Sequence, residues 1–163
     1  MEYIEEVRTF FARNFFQKIA ERTLTGRRFS FLRGKRVSLN AIAVSENKIK
    51  KLNREYRGKN TVTDILSFGE HVSQVALMKE KQDVIFLGEI FFCPKFIIRQ
   101  TKSSFSREVM PVVVKAGKTV RINEDVLLKK EMAYIFSHGI LHLIGFNHEK
   151  EMFGIQEKIS DIF

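Results

Sequence analysis

Residues 123–148 read NEDVLLKKEMAYIFSHGILHLIGFNH, and the rest of the chain can be placed around them. The stretch predicts one long, mostly buried helix that stops at a glycine. His138 and His142 are four residues apart, so they project from one helical face, one above the other. Gly145 is placed to end the helix, because glycine takes a left-handed backbone conformation without steric cost. The chain then folds back and carries His148 towards the first two. An imidazole pair at this spacing, with a third ligand beyond a turn, is how helices build three-ligand catalytic zinc sites that keep one position open.

One histidine on an apolar face is ordinarily a packed core residue. Three within residues 138–148 are hard to explain as packing, because burying imidazoles together is costly unless something satisfies their nitrogens. Ile140, Leu141, Leu143 and Ile144 are apolar, so packing can hold the helix while the histidines face a pocket. In zinc protease helices a glutamate follows the first histidine and serves as general base. Here that position is Gly139. The usual proton acceptor for peptide hydrolysis is missing, and the glycine is expected to leave room beside the metal for a bulky substrate.

The bulk composition narrows the partners. With 163 residues, 44% hydrophobic and 29% charged, the chain suits one globular domain over 1–163. Lys and Arg number 28 against 19 acids, a net charge of +9, which favours a polyanionic partner such as nucleic acid. The single cysteine, Cys93, excludes an internal disulfide and fits a reducing compartment. The first ten residues contain no apolar signal core, and no apolar run reaches the roughly 18 residues of a membrane span. The expected location is the cytoplasm, with no membrane association.

Around the central stretch, residues 3–24 read as an amphipathic helix through Ile4, Val7, Phe11, Phe15 and Ile19. A basic loop follows at 25–36. Residues 37–44 read as a strand, then Ser45 caps a helix over 46–56 with Ile49, Leu52 and Tyr56 inward, ended by Gly58. Residues 61–68 form a second strand. Residues 69–83 are a loop holding a lone His71 and room for a strand at 75–78. Residues 84–92 are a near-continuous apolar run, expected as a central strand. Pro94 opens a helix to about Ser104, residues 109–122 form a hairpin around 116–118, and Asn123 caps the long helix. A last amphipathic helix uses Met152, Ile155, Ile159 and Ile162. The expected class is α+β, with a mixed β-sheet packed against the helix that carries the histidine triad.

The block from His138 to His148, HGILHLIGFNH, resembles the HGxLHLxGYDH motif of the YbeY family of bacterial metal-dependent endoribonucleases and ribosomal RNA maturation factors. Two further blocks resemble that family in the right order. They are LNREYR (52–57) followed by TDILSF (63–68), and LGEI (87–90). The resemblance implies one zinc ion on His138, His142 and His148, and a catalytic role for Arg57. It implies single-stranded RNA as substrate, with action on 16S ribosomal RNA during maturation and quality control of the small ribosomal subunit. The sequence departs from the family pattern at Asn147, where the family has aspartate, and in the segment 106–122, which reads as an insertion.

Two rival readings accompany this one. A non-catalytic ribosome assembly or RNA-binding factor would use the histidines for a structural zinc, but such sites take four protein ligands and no fourth is evident nearby. A zinc peptidase is opposed by Gly139 and by the basic charge. No residue in the sequence identifies a general base.

Overall fold

The structure, a computed structural model, describes residues 2–5, 13–71, 73–107, 112–115, 118–121, 124–148 and 150–163. Strand β1 (Glu2–Glu5) is followed by helix α1 (Arg13–Thr23), a 3-10 segment (Arg27–Leu32), β2 (Arg36–Ala43) and α2 (Glu46–Arg57). Then come β3 (Ile65–Gly69), α3 (Gln74–Met78), β4 (Val84–Phe92) and α4 (Pro94–Arg107). The chain ends with a β5 (Val112–Lys115) and β6 (Lys118–Arg121) hairpin, α5 (Glu124–Leu143) and α6 (Lys150–Ser160). The four-stranded sheet has the order β1-β2-β4-β3. Its first two pairings are parallel, and β3 runs antiparallel to β4 along the edge. The fold is α+β, with a mixed sheet against the triad-bearing helix, as the sequence predicts.

Helix α5 lies on one sheet face. Its Met132, Ala133, Phe136, Ile140 and Leu141 are buried with Leu39, Ala41 and Ala43 of β2 and Ile85, Leu87, Ile90 and Phe92 of β4. Phe16 and Ile19 of α1 close that core, Phe16 lying 4.8 Å from Phe136 and 5.0 Å from Phe92 between ring centroids. The opposite face carries a smaller cluster: Ile42, Val44, Leu66 and Cys93 under Ile49 of α2. Side chains alternate between faces along a strand, which assigns Ile65 and Ser67 to the α5 side of β3, and Leu66 and Phe68 to the α2 side.

The inward residues of β4 do not keep a strict period of two: 85 and 87, then 90 and 92. A bulge accounts for this. Ser38 pairs with Phe86 and Asn40 with Glu89, so Leu87 and Gly88 oppose Leu39 alone. Gly88 takes φ 131° there, and a Cβ on it would stand 2.1 Å from the Phe68 carbonyl oxygen. The extra residue resets the phase. It keeps Ile90 and Phe92 under α5 and turns Glu89 away, where its carboxylate accepts from Asn40 Nδ2 at 3.2 Å.

Four expectations are corrected. Residues 3–5 belong to β1, paired in parallel with β2, and the helix there begins at Arg13; residues 6–12 lie outside the described set. Residues 75–78 lie in helix α3, capped by Ser73 Oγ accepting from the Ala76 amide, not in a strand. The basic loop at 25–36 contains the 3-10 segment and buries Phe29 and Leu32. The strand expected from residue 61 starts only at Ile65. Ser45 does cap α2, Gly58 ends it at φ 68°, and β5 and β6 pair as expected. Asn123 lies outside the described residues.

Gly88→Ala combines a disfavoured backbone region with a main-chain clash and should cost about 3 kcal/mol of stability or more. Gly139→Ala meets only side-chain tips, and should cost roughly 1–2 kcal/mol. Urea unfolding of the zinc-free proteins checks this order; a Gly88→Ala midpoint equal to wild type contradicts the bulge account.

Candidate metal centre

Helix α5 ends in a Schellman turn. The Phe146 amide donates to the Leu141 carbonyl and the Gly145 amide to the His142 carbonyl, both at 3.0 Å. Gly145 supplies the required positive φ of 86°, and the first residue of α3 packs so closely that a Cβ would lie 2.6 Å from the Gln74 nitrogen. The same turn aims the Phe146 carbonyl back at the helix. His142 Nδ1–H donates to it at 2.9 Å, which fixes the tautomer and leaves the Nε2 lone pair free.

That lone pair meets two others. His142 Nε2 lies 3.0 Å from His138 Nε2 and 3.2 Å from His148 Nε2, and the third side of the triangle is 3.3 Å. Tetrahedral zinc with Zn–N of about 2.0–2.1 Å separates its ligands by roughly 3.3 Å. The triangle fits that geometry, and three neutral imidazoles are a donor set that zinc accepts. Among the described residues, these three side chains form a group able to hold one metal ion.

Burial favours the neutral form of two of the rings. His138 is pushed down to about 4, chiefly by burial and then by His142 and His148. His142 is also lowered, again mainly by burial, with the Arg57 charge acting in the same direction. Imidazole must be unprotonated to ligate, so the fold holds these two rings ready.

Several contacts hold the third ligand and the turn. The Phe153 ring lies nearly parallel to His148, 6.5 Å away. Phe29 and the Arg28 guanidinium both cover Phe146, and Arg28 is ion-paired with Glu151. The basic loop thus props the turn through Arg28. Gln156 of α6 is fully buried. Its amide nitrogen donates to the Tyr134 carbonyl at 3.4 Å. Its carboxamide oxygen is buried with no hydrogen bond of full geometry among the described residues. The side chain lies beside His138 and favours that ring's protonated form.

The triad opens into a cleft of about 470 Å³ lined by Tyr56, Arg57, Ile65, Leu66, Ser67, Phe68 and the three histidines. Arg57, the last residue of α2, is exposed at its rim. The structure therefore brings Arg57 and the triad together. No carboxylate is among these lining residues. Asn147 is exposed, and His71 is outside the cleft lining.

The expectation for Gly139 is corrected. It is buried against the sheet, where a Cβ would stand 2.8 Å from Ile65 Cδ1 and 3.0 Å from Ser67 Oγ. The glycine lets α5 approach β3; it does not open space beside the metal position. Tyr56 is also misplaced by its helical spacing, being 61% exposed instead of inward. Asn53 takes the inner position, donating to the Thr61 carbonyl at 2.9 Å and holding the loop beyond α2. Gln156 was missed as well, although its place between Met152 and Ile159 on the buried stripe of α6 marks it as a polar residue with a reason to be there.

Two outcomes follow from this geometry. Between about pH 6.5 and 4 the unfolded chain binds a proton at His138 that the folded chain refuses, so stability of the zinc-free protein falls as pH falls through that window. His138→Asn should show a shallower fall in urea midpoint; identical slopes contradict the assignment. Gln156→Leu should weaken zinc binding about 10- to 100-fold in chelator competition; unchanged affinity would remove Gln156 from the site.

Comparison with known proteins adds an independent line. A family model described as Endoribonuclease YbeY matches residues 3–163. Similar proteins bearing that name include one from Bdellovibrio bacteriovorus, 29% identical over 133 residues, covering 78% of this chain and 68% of that protein. One from Thermodesulfovibrio yellowstonii is 38% identical over 111 residues, covering 68% and 54%. One from Thermotoga maritima is 35% identical over 131 residues, covering 75% and 65%. The chain thus spans between about half and two-thirds of the length of these relatives. A solution structure of a Thermotoga maritima protein superposes with a TM-score of 0.52 at 25% identity, covering 98% of this chain and 86% of that one. The chain belongs to the YbeY endoribonuclease family.

Proposed function

We propose that the protein is a zinc-dependent, single-strand-specific endoribonuclease that hydrolyses RNA phosphodiester bonds. In this reading His138, His142 and His148 hold one zinc ion, and Arg57 is the catalytic cation. The cellular substrate is 16S ribosomal RNA in the cytoplasm, acted on during maturation and quality control of the small ribosomal subunit. The observation that carries the reading is the Nε2 triangle, all sides within 3.0–3.3 Å, opening into a cleft with a guanidinium on its rim.

When bound, zinc supplies Lewis-acid activation of a water and of the phosphoryl group. The protein's own groups do the rest. Burial keeps His138 and His142 neutral, and the triangle of ring nitrogens faces the cleft. Arg57 grips a non-bridging phosphate oxygen and offsets the charge that builds in the transition state. Ser67 lines the cleft with a hydroxyl able to donate to the same phosphate. The net charge of +9 draws a polyanion towards the site. Among the described residues, the absence of a cleft-lining carboxylate counts against the peptidase reading, and the group of three ligands counts against a closed structural zinc.

The zinc-loaded protein is incubated with single-stranded RNA, with the same RNA as duplex and with a peptide library. Cleavage of the single strand alone is expected. Arg57→Ala should retain one zinc and lose about 10²- to 10³-fold in kcat; His142→Ala should lose zinc and cleavage together. RNA cleavage unchanged in both variants contradicts the proposal. RNA binding without cleavage by the wild type would favour the assembly-factor reading.

A further inference from the structure

Tyr56 is the most exposed of the large hydrophobic side chains among the described residues, at 61%. It is nevertheless held in place. Its ring packs edge-on against Phe68 of β3 at 4.8 Å and 65°, and Phe68 in turn packs against Phe91 of β4 at 5.6 Å. Tyr56 adjoins Arg57 in sequence and lines the same cleft as the triad. A fixed aromatic ring with an open surface beside a polyanion site needs an explanation that core packing does not supply.

The helix that carries it supplies a second observation. Lys48, Lys50, Lys51, Arg54, Arg57 and Lys59 are all exposed on or just beyond α2. None of the ion pairs among the described residues involves them. Lys50, Arg54 and Arg57 recur at i, i+4 and i+7, so they form one stripe. At 1.5 Å per residue that stripe runs about 10 Å and ends at the cleft. Unpaired cations that track a backbone, with an aromatic ring at their end, are the two components of sequence-tolerant single-strand binding.

We propose that Tyr56 is a nucleobase-stacking subsite: a base next to the scissile phosphate stacks on its ring, while the strand's phosphates follow Lys50, Arg54 and Arg57. This rests on the ribonuclease reading and adds the footprint of the strand to it. A paired base inside a duplex cannot present its face to the ring, so the subsite selects unpaired RNA. Because every base has a π-face, it selects little among sequences.

The test uses the zinc-loaded full chain and a ten-nucleotide single-stranded RNA, intact or with one abasic residue placed at each position in turn. Tyr56→Ala should raise KM about tenfold, within the roughly 5- to 150-fold that one base–aromatic stack confers, with zinc content unchanged. Tyr56→Phe should restore it, since stacking needs the ring and not the hydroxyl. One abasic position should weaken wild type by the same factor and leave Tyr56→Ala unaffected. The chain has no tryptophan, so Tyr56→Trp places a single indole there, and RNA should quench it. A normal KM for Tyr56→Ala, or equal abasic penalties in both proteins, overturns the stacking subsite and leaves the ribonuclease reading standing. Tyr56-dependent RNA binding with no cleavage by wild type does the reverse. A Tyr56→Ala protein that binds RNA normally but loses a ribosomal protein contact would assign the ring to protein docking and also overturn the subsite.

Discussion

The close approach of α5 to β3 at Gly139 governs where everything in the cleft lies. A single added carbon at that point meets two isoleucine tips and a serine hydroxyl. With glycine there, the helix lies against β3, and His138 and His142 line one cleft with Ser67 and Ile65. The edge position of β3 matters equally. A strand with no outer neighbour among the described residues lets groups from both sheet faces meet: the histidines from the α5 side, and Tyr56 and Arg57 from α2 on the other. The bulge at Gly88 serves the same end, because it keeps Ile90 and Phe92 in phase beneath the helix while β4 stays paired with β3.

Holding three imidazoles with their Nε2 atoms about 3 Å apart is unfavourable without a cation between them. Their nitrogens crowd one another, and burial resists protonation of His138 and His142. The fold tolerates this because each ring is held from behind. A carbonyl of the Schellman turn holds His142, Phe153 flanks His148, and Gln156 stands beside His138. The stabilisation of the turn reaches further, through Arg28 and Phe29 on Phe146, to a segment more than a hundred residues earlier in the chain. A site organised before its ion arrives loses little conformational entropy when it binds.

Much of this was legible from residue spacing. The i, i+4 histidines and the glycine after them locate the helix end, and the central strand shows as a near-continuous apolar run. What was not legible depends on contacts distant in sequence. Glu2–Glu5 is a strand because β2 offers it a parallel partner, whereas Ile4 and Val7 alone suggest a helical stripe. Helix α3 is five residues long, too short for a period to show. Tyr56 shares the helical phase of Ile49 and Leu52, and only the tertiary position of Phe68 reveals that it leans out over the sheet edge. Gly139 in the sequence suggests open space around a metal, but Ile65, Ser67 and Ile90 of the sheet fill that space.

The central claim is that three ring nitrogens converge on one ion and leave a fourth position to solvent. X-ray absorption at the zinc edge of the loaded protein tests this most directly. The account predicts one zinc per chain with three nitrogen ligands at about 2.0–2.1 Å and one oxygen. A fully protein-ligated four-coordinate ion, or zinc whose spectrum is unchanged when His148 is replaced by alanine, would contradict it.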